Sequence, residues 1–255
     1  MTTRNKPLRF HEEILLLALR DEKGTIEFKA SQYALAMAGG MIADLLMGKR
    51  IALEPKKSST FLSFSFGSRD RKRGRDMPAT GPADLVELID SKRFGGDVLD
   101  ECLEKLAQAK RRASIQTWVT RFARIKRLKH RTAEGLCERG ILRAEEGRVL
   151  LIFSRKIYPE LNSQPERALI ERLRTAIFTG TLELDARTVV LLSLANSAGL
   201  LKIPFAARDL RKRKKRIKEI VAGDAIGKAT QQAIQAAQAA AAVAAMSPAM
   251  VVTTH

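Results

Sequence analysis

The side chains best suited to bind a charged ligand lie between Arg121 and Arg131, where six Lys or Arg residues and one His occur without an acidic residue. Cationic side chains at this density are chemically suited to hold phosphate or carboxylate groups. Residues of a second kind recur every three or four positions through the same stretch: Trp118, Phe122, Ile125, Thr132 and Leu136. This pattern predicts one basic helix from Arg121 to Leu142 with a buried stripe.

On a helical wheel, Arg121 and Lys129 project within or beside the apolar sector of this predicted helix, while the other cations avoid it. A cation at the edge of a core either meets an anionic ligand or extends past the core into water. The wheel leaves both interpretations open.

Acid–base and nucleophilic chemistry have no comparable set of residues. His11, His130 and His255 are each isolated in the sequence, and Glu12 and Glu13 would diverge by about 100° on a helix. The chain also lacks a glycine-rich phosphate loop, a nucleophile elbow and an HExxH motif. We therefore predict a protein that is not an enzyme and that has neither a cofactor nor a metal site.

The balance of charges favours a polyanionic partner. The chain of 255 residues has 46 Lys or Arg against 28 Asp or Glu, a formal charge of +18. Nucleic acid and an anionic membrane surface are the main candidates. The longest strongly apolar run, Ile14 to Leu19, is too short to span a bilayer, so any membrane contact is expected to be peripheral. Cys102 and Cys137 belong to no CxxC pair, which is typical of reduced thiols in a cytoplasmic protein.

The positioning elements are predicted to be mostly helical. A glycine pair, Gly39–Gly40, interrupts the second of these helices and indicates close packing there. Short strands are predicted at Thr25–Lys29, Arg50–Glu54 and Phe61–Phe66. Besides the basic helix, helices are predicted at Leu8–Arg20, Ser31–Lys49, Asp84–Asp90, Asp97–Lys110, Pro165–Phe178 and Asp185–Ala198. The predicted fold class is mainly α, a compact multi-helix single domain with a few short strands and a projecting β-hairpin.

The predicted hairpin covers Glu145 to Pro159. Its centre is a continuous apolar run of high strand propensity, set between charges and followed by proline. One interpretation is a hairpin buried in the core. The other is an apolar projection that enters a membrane or contacts a second subunit, because a short isolated hairpin is only marginally stable. The residues of this run are Val149, Leu150, Leu151, Ile152 and Phe153.

Three further regions divide the chain. Residues 1–7 are predicted to be flexible, residues 8–222 to form the domain, and residues 223–255 to be an Ala/Gln-rich low-complexity tail. Within the domain, a basic loop is expected at about residues 55–82. The segment Arg208 to Lys218 contains eight cations against one acid. It is either a solvated helical face or a polybasic segment that approaches an anionic surface.

The order of segments closely resembles the Golgi phosphoprotein 3 family. The opening run LRFHEEILLLALRDEKG shows the leucine-rich helix and the D-x-x-G turn of that family, and a GG-containing helix and a short G-[RK]-[RK]-I strand follow. The later segments GDVLDECLEKLA, SIQTWV, GLCERGIL, VLLIF and LDARTVVLLSLANS also match in family order. The resemblance covers Leu8 to Phe205, and it is specific because many segments match in one order.

The resemblance implies a mostly α-helical domain that binds phosphoinositide headgroups, in particular phosphatidylinositol 4-phosphate, through a basic pocket. By position, two pocket cations correspond to Lys126 and Lys129, with Arg131 close by. The family hairpin, used in membrane contact and self-association, corresponds to residues 149–153. In eukaryotic members this architecture serves recruitment to the cytosolic face of the Golgi and retention of glycosyltransferases through their cytosolic tails.

Two positions depart from the family pattern. Lys29 replaces a pocket tryptophan, and Ala38 replaces a pocket arginine. Lysine lacks both the bidentate fork of arginine and the flat face of tryptophan. We therefore expect a general binder of anionic lipids, with headgroup contacts from Lys126, Lys129, Arg131, Lys29 and Arg121.

Other partners are compatible with the same surfaces. Nucleic acid is the main alternative, although an aromatic content of 5% provides few stacking platforms. A scaffold that binds the cytosolic tails of membrane proteins is a third interpretation. Bacterial members of the family exist, and the alanine-rich tail favours such a source.

Overall fold

A computed structural model describes residues 6–19, 23–27, 32–54, 84–149, 153–180 and 184–222 of the chain, together with 234 and 238. The N-terminal and central helices are α1 (Phe10–Ala18), α2 (Tyr33–Met47), α3 (Asp97–Ala107), α4 (Ile115–Ala123) and α5 (Leu128–Glu138). The C-terminal helices are α6 (Gln164–Phe178), α7 (Ala186–Ser197), α8 (Ala207–Lys212) and α9 (Lys214–Ala222), with a 3-10 helix at Leu200–Lys202.

Two small antiparallel sheets accompany the helices. Strands β1 (Ile51–Glu54) and β2 (Leu85–Leu88) form one, with Ile51 opposite Leu88. Strands β3 (Glu145–Val149) and β4 (Phe153–Ile157) form the other, with Val149 opposite Phe153. The fold is therefore mainly helical with a β-hairpin, which confirms the predicted fold class.

Helices α1, α2 and α7 each contribute more buried apolar residues to the core than any other described element. The close approach predicted from the glycine pair is present, because a Cβ added at Gly40 would lie 2.9 Å from the Cβ of Phe10. Only a residue without a side chain allows α1 to pack this closely on α2. The backbone N–H of Phe10 also donates to Asp44 Oδ2 of α2, at 2.9 Å.

A buried ionic network joins the same helices to α6. Glu13 of α1 lies 2.9 Å from Arg172 and 3.1 Å from Arg187, and Arg187 also lies 3.6 Å from Asp44. Burial raises the pKa of Glu13 above its ordinary 4.5, although the two arginines oppose this shift. The network therefore links four helices through charges removed from water.

Three sequence predictions are wrong. Residues 84–90 do not form a helix, because 85–88 pair with β1 as strand β2. The predicted strand Thr25–Lys29 is reduced, in its described part, to an isolated bridge between Leu19 and Ile26. The basic helix is not continuous but is divided into α4 and α5. The predicted strand Phe61–Phe66, the basic loop and most of the tail lie outside the described residues.

Candidate functional site

The division of the basic helix creates an exposed turn at residues 124–127. Ser114 is the N-cap of helix α4, and its hydroxyl accepts a hydrogen bond from the backbone N–H of Thr117. The helix ends at Ala123. Arg127 then adopts a left-handed conformation with φ of 57°, after which α5 begins at Leu128. Because of this break in the helix, the side chains of the turn take directions that they would not have on one continuous helix. We call residues 121–129 the basic turn.

Apolar side chains fasten the basic turn to the core. Phe122, Ile125 and Leu128 are buried, whereas Arg124, Lys126 and Arg127 between them are exposed. The buried stripe predicted from the sequence is confirmed, since Trp118, Thr132 and Leu136 are buried as well. Because buried residues alternate with the exposed cations, packing against the core holds the backbone of the basic turn in place.

The cations of the basic turn differ in their partners. Arg127 pairs with Glu134 at 3.2 Å, and the Arg121 guanidinium lies 4.7 Å from the centre of the Trp118 ring. Lys129 is half-buried on the first turn of α5. Among the residues that the structure describes, Arg124 and Lys126 face no carboxylate within ion-pair distance. These two cations are therefore available to an external anion.

Arg131 has a different environment from the one that its position in the sequence suggested. Its Nε lies 2.6 Å from Asp97 Oδ2, and its guanidinium also contacts Glu101. Hydrogen bonding from Arg131 holds the pKa of Asp97 below its ordinary 3.8. The side chain thus connects α5 to α3, and an anionic ligand would have to compete with two carboxylates for it.

Of the two positions that depart from the family pattern, one lies outside the described residues and the other has no side chain that could bind a headgroup. Lys29 lies outside the described part of the chain. Ala38, at the position of the family arginine, is fully buried within α2 and has no group that reaches a ligand. Arg121, Lys126 and Lys129 all belong to the basic turn, whereas Arg131 contacts the carboxylates of α3.

The apolar run of the hairpin is described only at its ends. Val149 and Phe153 are opposite each other in β3 and β4, and their side chains, like residues 150–152 as a whole, lie outside the described part. The base of the hairpin lies within the described residues. Tyr158 donates its backbone N–H to the carbonyl of Gly24 at 2.9 Å.

His130 connects this base to the basic turn. Its Nδ1 forms a 2.9 Å hydrogen bond with the Tyr158 hydroxyl. Burial lowers the pKa of His130 below its ordinary 6.5, and the nearby cations Lys129 and Arg127 lower it further. Sequence reasoning treated this histidine as isolated, because Tyr158 is distant along the chain.

The low pKa of His130 predicts a pH dependence of stability. The unfolded chain takes up the proton more readily, so this contribution is complete above about pH 6.5 and is lost as the pH falls through the folded pKa. We expect the free energy of unfolding to decrease across this window, and to decrease less steeply in His130→Gln, which stays neutral. Urea unfolding between about pH 7.5 and 5.5 measures both slopes. Equal slopes in the two proteins would contradict the assignment.

Other kinds of site receive little support from the described residues. The described residues contain no group of three or more His, Cys, Asp or Glu placed to hold a metal ion. Cys102 and Cys137 are free, and burial raises the pKa of both thiols, which keeps them protonated. No described helix has both the length and the apolar character needed to cross a membrane.

The chain is similar to known proteins over most of its length. The sequence model of the family described as Golgi phosphoprotein 3 (GPP34) matches residues 10–237. A vacuolar protein sorting-associated protein 74 from Eremothecium gossypii is 23% identical over 235 residues, which cover 83% of this chain and 65% of that protein. The protein of the same name from Schizosaccharomyces pombe is 23% identical over 189 residues, 70% of this chain and 50% of that protein. The chain thus spans about half to two thirds of the length of these relatives.

Proposed function

The chain belongs to the Golgi phosphoprotein 3 family, and from this membership we propose that it is a non-enzymatic peripheral membrane protein that binds anionic phospholipid headgroups through the basic turn. The observation that carries this proposal is the exposure of Arg124 and Lys126 without carboxylate partners in the described structure, on a turn anchored by Ile125. Lysine and arginine near an anionic bilayer each contribute about 1 kcal/mol to binding.

The proposed ligand is a class of lipid, with phosphatidylinositol 4-phosphate as one member. Ala38 has no side chain to reach a phosphate, and a lysine at position 29 offers neither a bidentate fork nor a flat ring. Affinity for negative charge is retained by Lys126 and Lys129. We therefore expect binding to follow the charge density of the membrane more than the identity of the headgroup, on cytoplasmic membranes or on the cytosolic face of the Golgi.

The hairpin is proposed as a second contact. Its apolar residues 149–153 would insert into the lipid surface or join two copies of the chain, and both uses bury apolar area that a two-stranded sheet cannot bury alone. The relatives are named for vacuolar protein sorting. A role in holding the cytosolic tails of membrane proteins is compatible with that name.

Co-sedimentation with vesicles tests the lipid site. The wild-type chain is expected to bind vesicles that contain phosphatidylserine or phosphatidylinositol 4-phosphate, and to bind neutral vesicles weakly. Replacing both lysines, Lys126→Ala/Lys129→Ala, removes about 2 kcal/mol and should weaken binding roughly 30-fold. The matched control, Lys92→Ala/Lys110→Ala, removes the same charge from exposed positions outside the basic turn.

Two outcomes would contradict the proposal. Equal weakening by both double substitutions would mean that net charge alone attracts the protein to the surface. Loss of vesicle binding in the presence of excess DNA or RNA, with tight binding of the nucleic acid, would assign the basic turn to nucleic acid instead. A parallel Leu151→Ser/Ile152→Ser variant reports on the hairpin, through vesicle binding and through the mass measured by sedimentation velocity.

A further inference from the structure

An apolar groove with a cationic rim lies between the end of α7, the 3-10 helix and the pair α8–α9. Its volume is about 600 Å³. Leu201, Leu210, Ile217 and Val221 contribute to its apolar lining, and none of the described residues that line it is acidic. We call this feature the α8–α9 groove. It uses the polybasic segment 208–218, which plays no part in the proposed lipid site.

The cations of the rim lack the carboxylate partners that Lys212 and Lys215 have in the same segment. Outside the groove, Lys212 lies 4.0 Å from Asp209, and Lys215 lies 3.9 Å from Glu219. Over the described residues, the four rim cations form no ion pair with any carboxylate. They are Lys202, Arg211, Lys214 and Lys218. The groove therefore combines apolar surface with uncompensated positive charge.

A second cavity shows that this combination is not general in the protein. A space of about 450 Å³ beside α3 is also lined by cations, among them Arg93, Lys105 and Arg131. Four carboxylates line it as well, those of Asp97, Asp100, Glu101 and Glu104. Its charges are balanced within the protein, whereas those of the α8–α9 groove are not.

The spacing of the lining residues indicates the shape of the occupant. Lys214, Ile217 and Val221 follow one another every three or four residues along α9, and Leu210 of α8 lines the same groove. A wall with this period matches the side chains of a helix lying alongside it. Lys214 and Lys218 are also about one turn apart on α9, and Arg211 of α8 lies on the same rim. A row of this kind matches a row of carboxylates, whereas one lipid phosphate would need the cations at a single point.

We propose that the α8–α9 groove binds an amphipathic helix of a partner protein, with an apolar stripe against Leu210, Ile217 and Val221 and with acidic residues opposite the rim cations. The chain's own tail does not provide this chemistry, because residues 223–255 contain a single carboxylate side chain, that of Asp224. Duplex nucleic acid would match the cations and leave the apolar floor uncovered. The proposal goes beyond lipid binding and depends on different helices.

A synthetic peptide tests the proposal on the full chain. The probe is a labelled helix of about 18 residues, long enough to form a helix on binding, with leucines at i, i+3, i+4 and i+7 and glutamates flanking them. We expect the wild-type protein to bind it in a fluorescence anisotropy titration. Lys214→Glu/Lys218→Glu should weaken binding about tenfold or more. Hydrogen exchange should show new protection in α8 and α9 when the peptide is bound.

The matched control is Arg208→Glu/Lys215→Glu, which makes the same change in charge at exposed positions of the same segment that do not line the groove. This variant should bind the peptide within about threefold of wild type. A peptide with lysines in place of the glutamates should prefer the Lys214→Glu/Lys218→Glu variant over wild type. Such a reversal cannot arise from misfolding of the variant.

Several results would overturn the proposal. Absence of binding to the wild-type chain would do so, as would equal weakening by the two charge-reversed variants. Equal binding of a peptide with the same composition but a scrambled leucine stripe would show that the apolar floor is not used. If the protein binds anionic vesicles only when Lys214 and Lys218 are present, and does not bind the peptide, the groove would be a lipid site. Because the peptide titration contains no lipid, its failure is distinguishable from failure of the proposed function.

Discussion

Replacing Gly24 by alanine is expected to lower the free energy of unfolding by about 3 kcal/mol. Gly24 has φ of +57°, a conformation that costs an L-residue about 1–2 kcal/mol by itself. A Cβ at this position would also lie 2.2 Å from the backbone nitrogen of Pro159 and 2.3 Å from the carbonyl carbon of Tyr158. Backbone atoms cannot rotate away as a side chain does, so the two chain segments must separate.

Separation at Gly24 would also affect the hairpin. The hydrogen bond from the Tyr158 N–H to the Gly24 carbonyl would be lost, and with it the support of the residue that follows β4. Urea unfolding followed by circular dichroism measures the loss of stability. Gly180→Ala is the matched control, because Gly180 has φ of +70° and no heavy atom within 4 Å of its added Cβ. Equal losses in the two variants would show that conformational strain alone is responsible.

Replacing Arg187 by alanine is expected to cost about 3 kcal/mol or more, because the substitution leaves two carboxylates partly uncompensated in the core. The side chains of Glu13 and Asp44 are 4% and 3% exposed, and Arg187 lies 3.1 Å from the first and 3.6 Å from the second. Arg172 would remain beside Glu13, but it does not pair with Asp44 in the described structure. A buried charge that loses its partner carries the cost of its lost hydration.

The pH dependence of the Arg187→Ala protein distinguishes this mechanism from a loss of packing. Without Arg187, the already raised pKa of Glu13 should rise further, so acid protonates Glu13 in the folded state and the deficit shrinks as the pH falls. Arg143→Ala is the control, since Arg143 pairs at 2.8 Å with the exposed Glu145 and should cost less than about 1 kcal/mol. A deficit that is independent of pH would contradict the electrostatic explanation.

Much of the helical structure could be predicted because it depends on local patterns. Asp97–Lys110 alternates buried and exposed residues with the helical period, and the structure has α3 over Asp97–Ala107. The prediction at Pro165–Phe178 agrees with α6, where proline occupies the first turn as expected. The paired glycines indicated a close helix contact, and Gly40 lies against Phe10.

Two of the wrong predictions have separate physical causes. Residues 84–90 contain apolar residues at spacings that suit either a helix or a strand, and pairing of 85–88 with β1 decided between them. The break between α4 and α5 was not visible, because the buried stripe continues through Ile125 while Arg127 turns the backbone. Pairing with a distant strand decided the first case, and the left-handed conformation of Arg127 divides the helix in the second.

The sequence by itself determined the density of positive charge, the buried stripe of the basic turn and the family to which the chain belongs. Tertiary structure alone decided which cations remain available, because an ion pair depends on distance in space and its members can be far apart along the chain. Arg131 meets Asp97 and Glu101 of α3, whereas Lys126, five residues earlier, meets no carboxylate in the described structure. The partners of Lys212 and Lys215 are by contrast local, because Asp209 and Glu219 lie three and four residues away on the same helices.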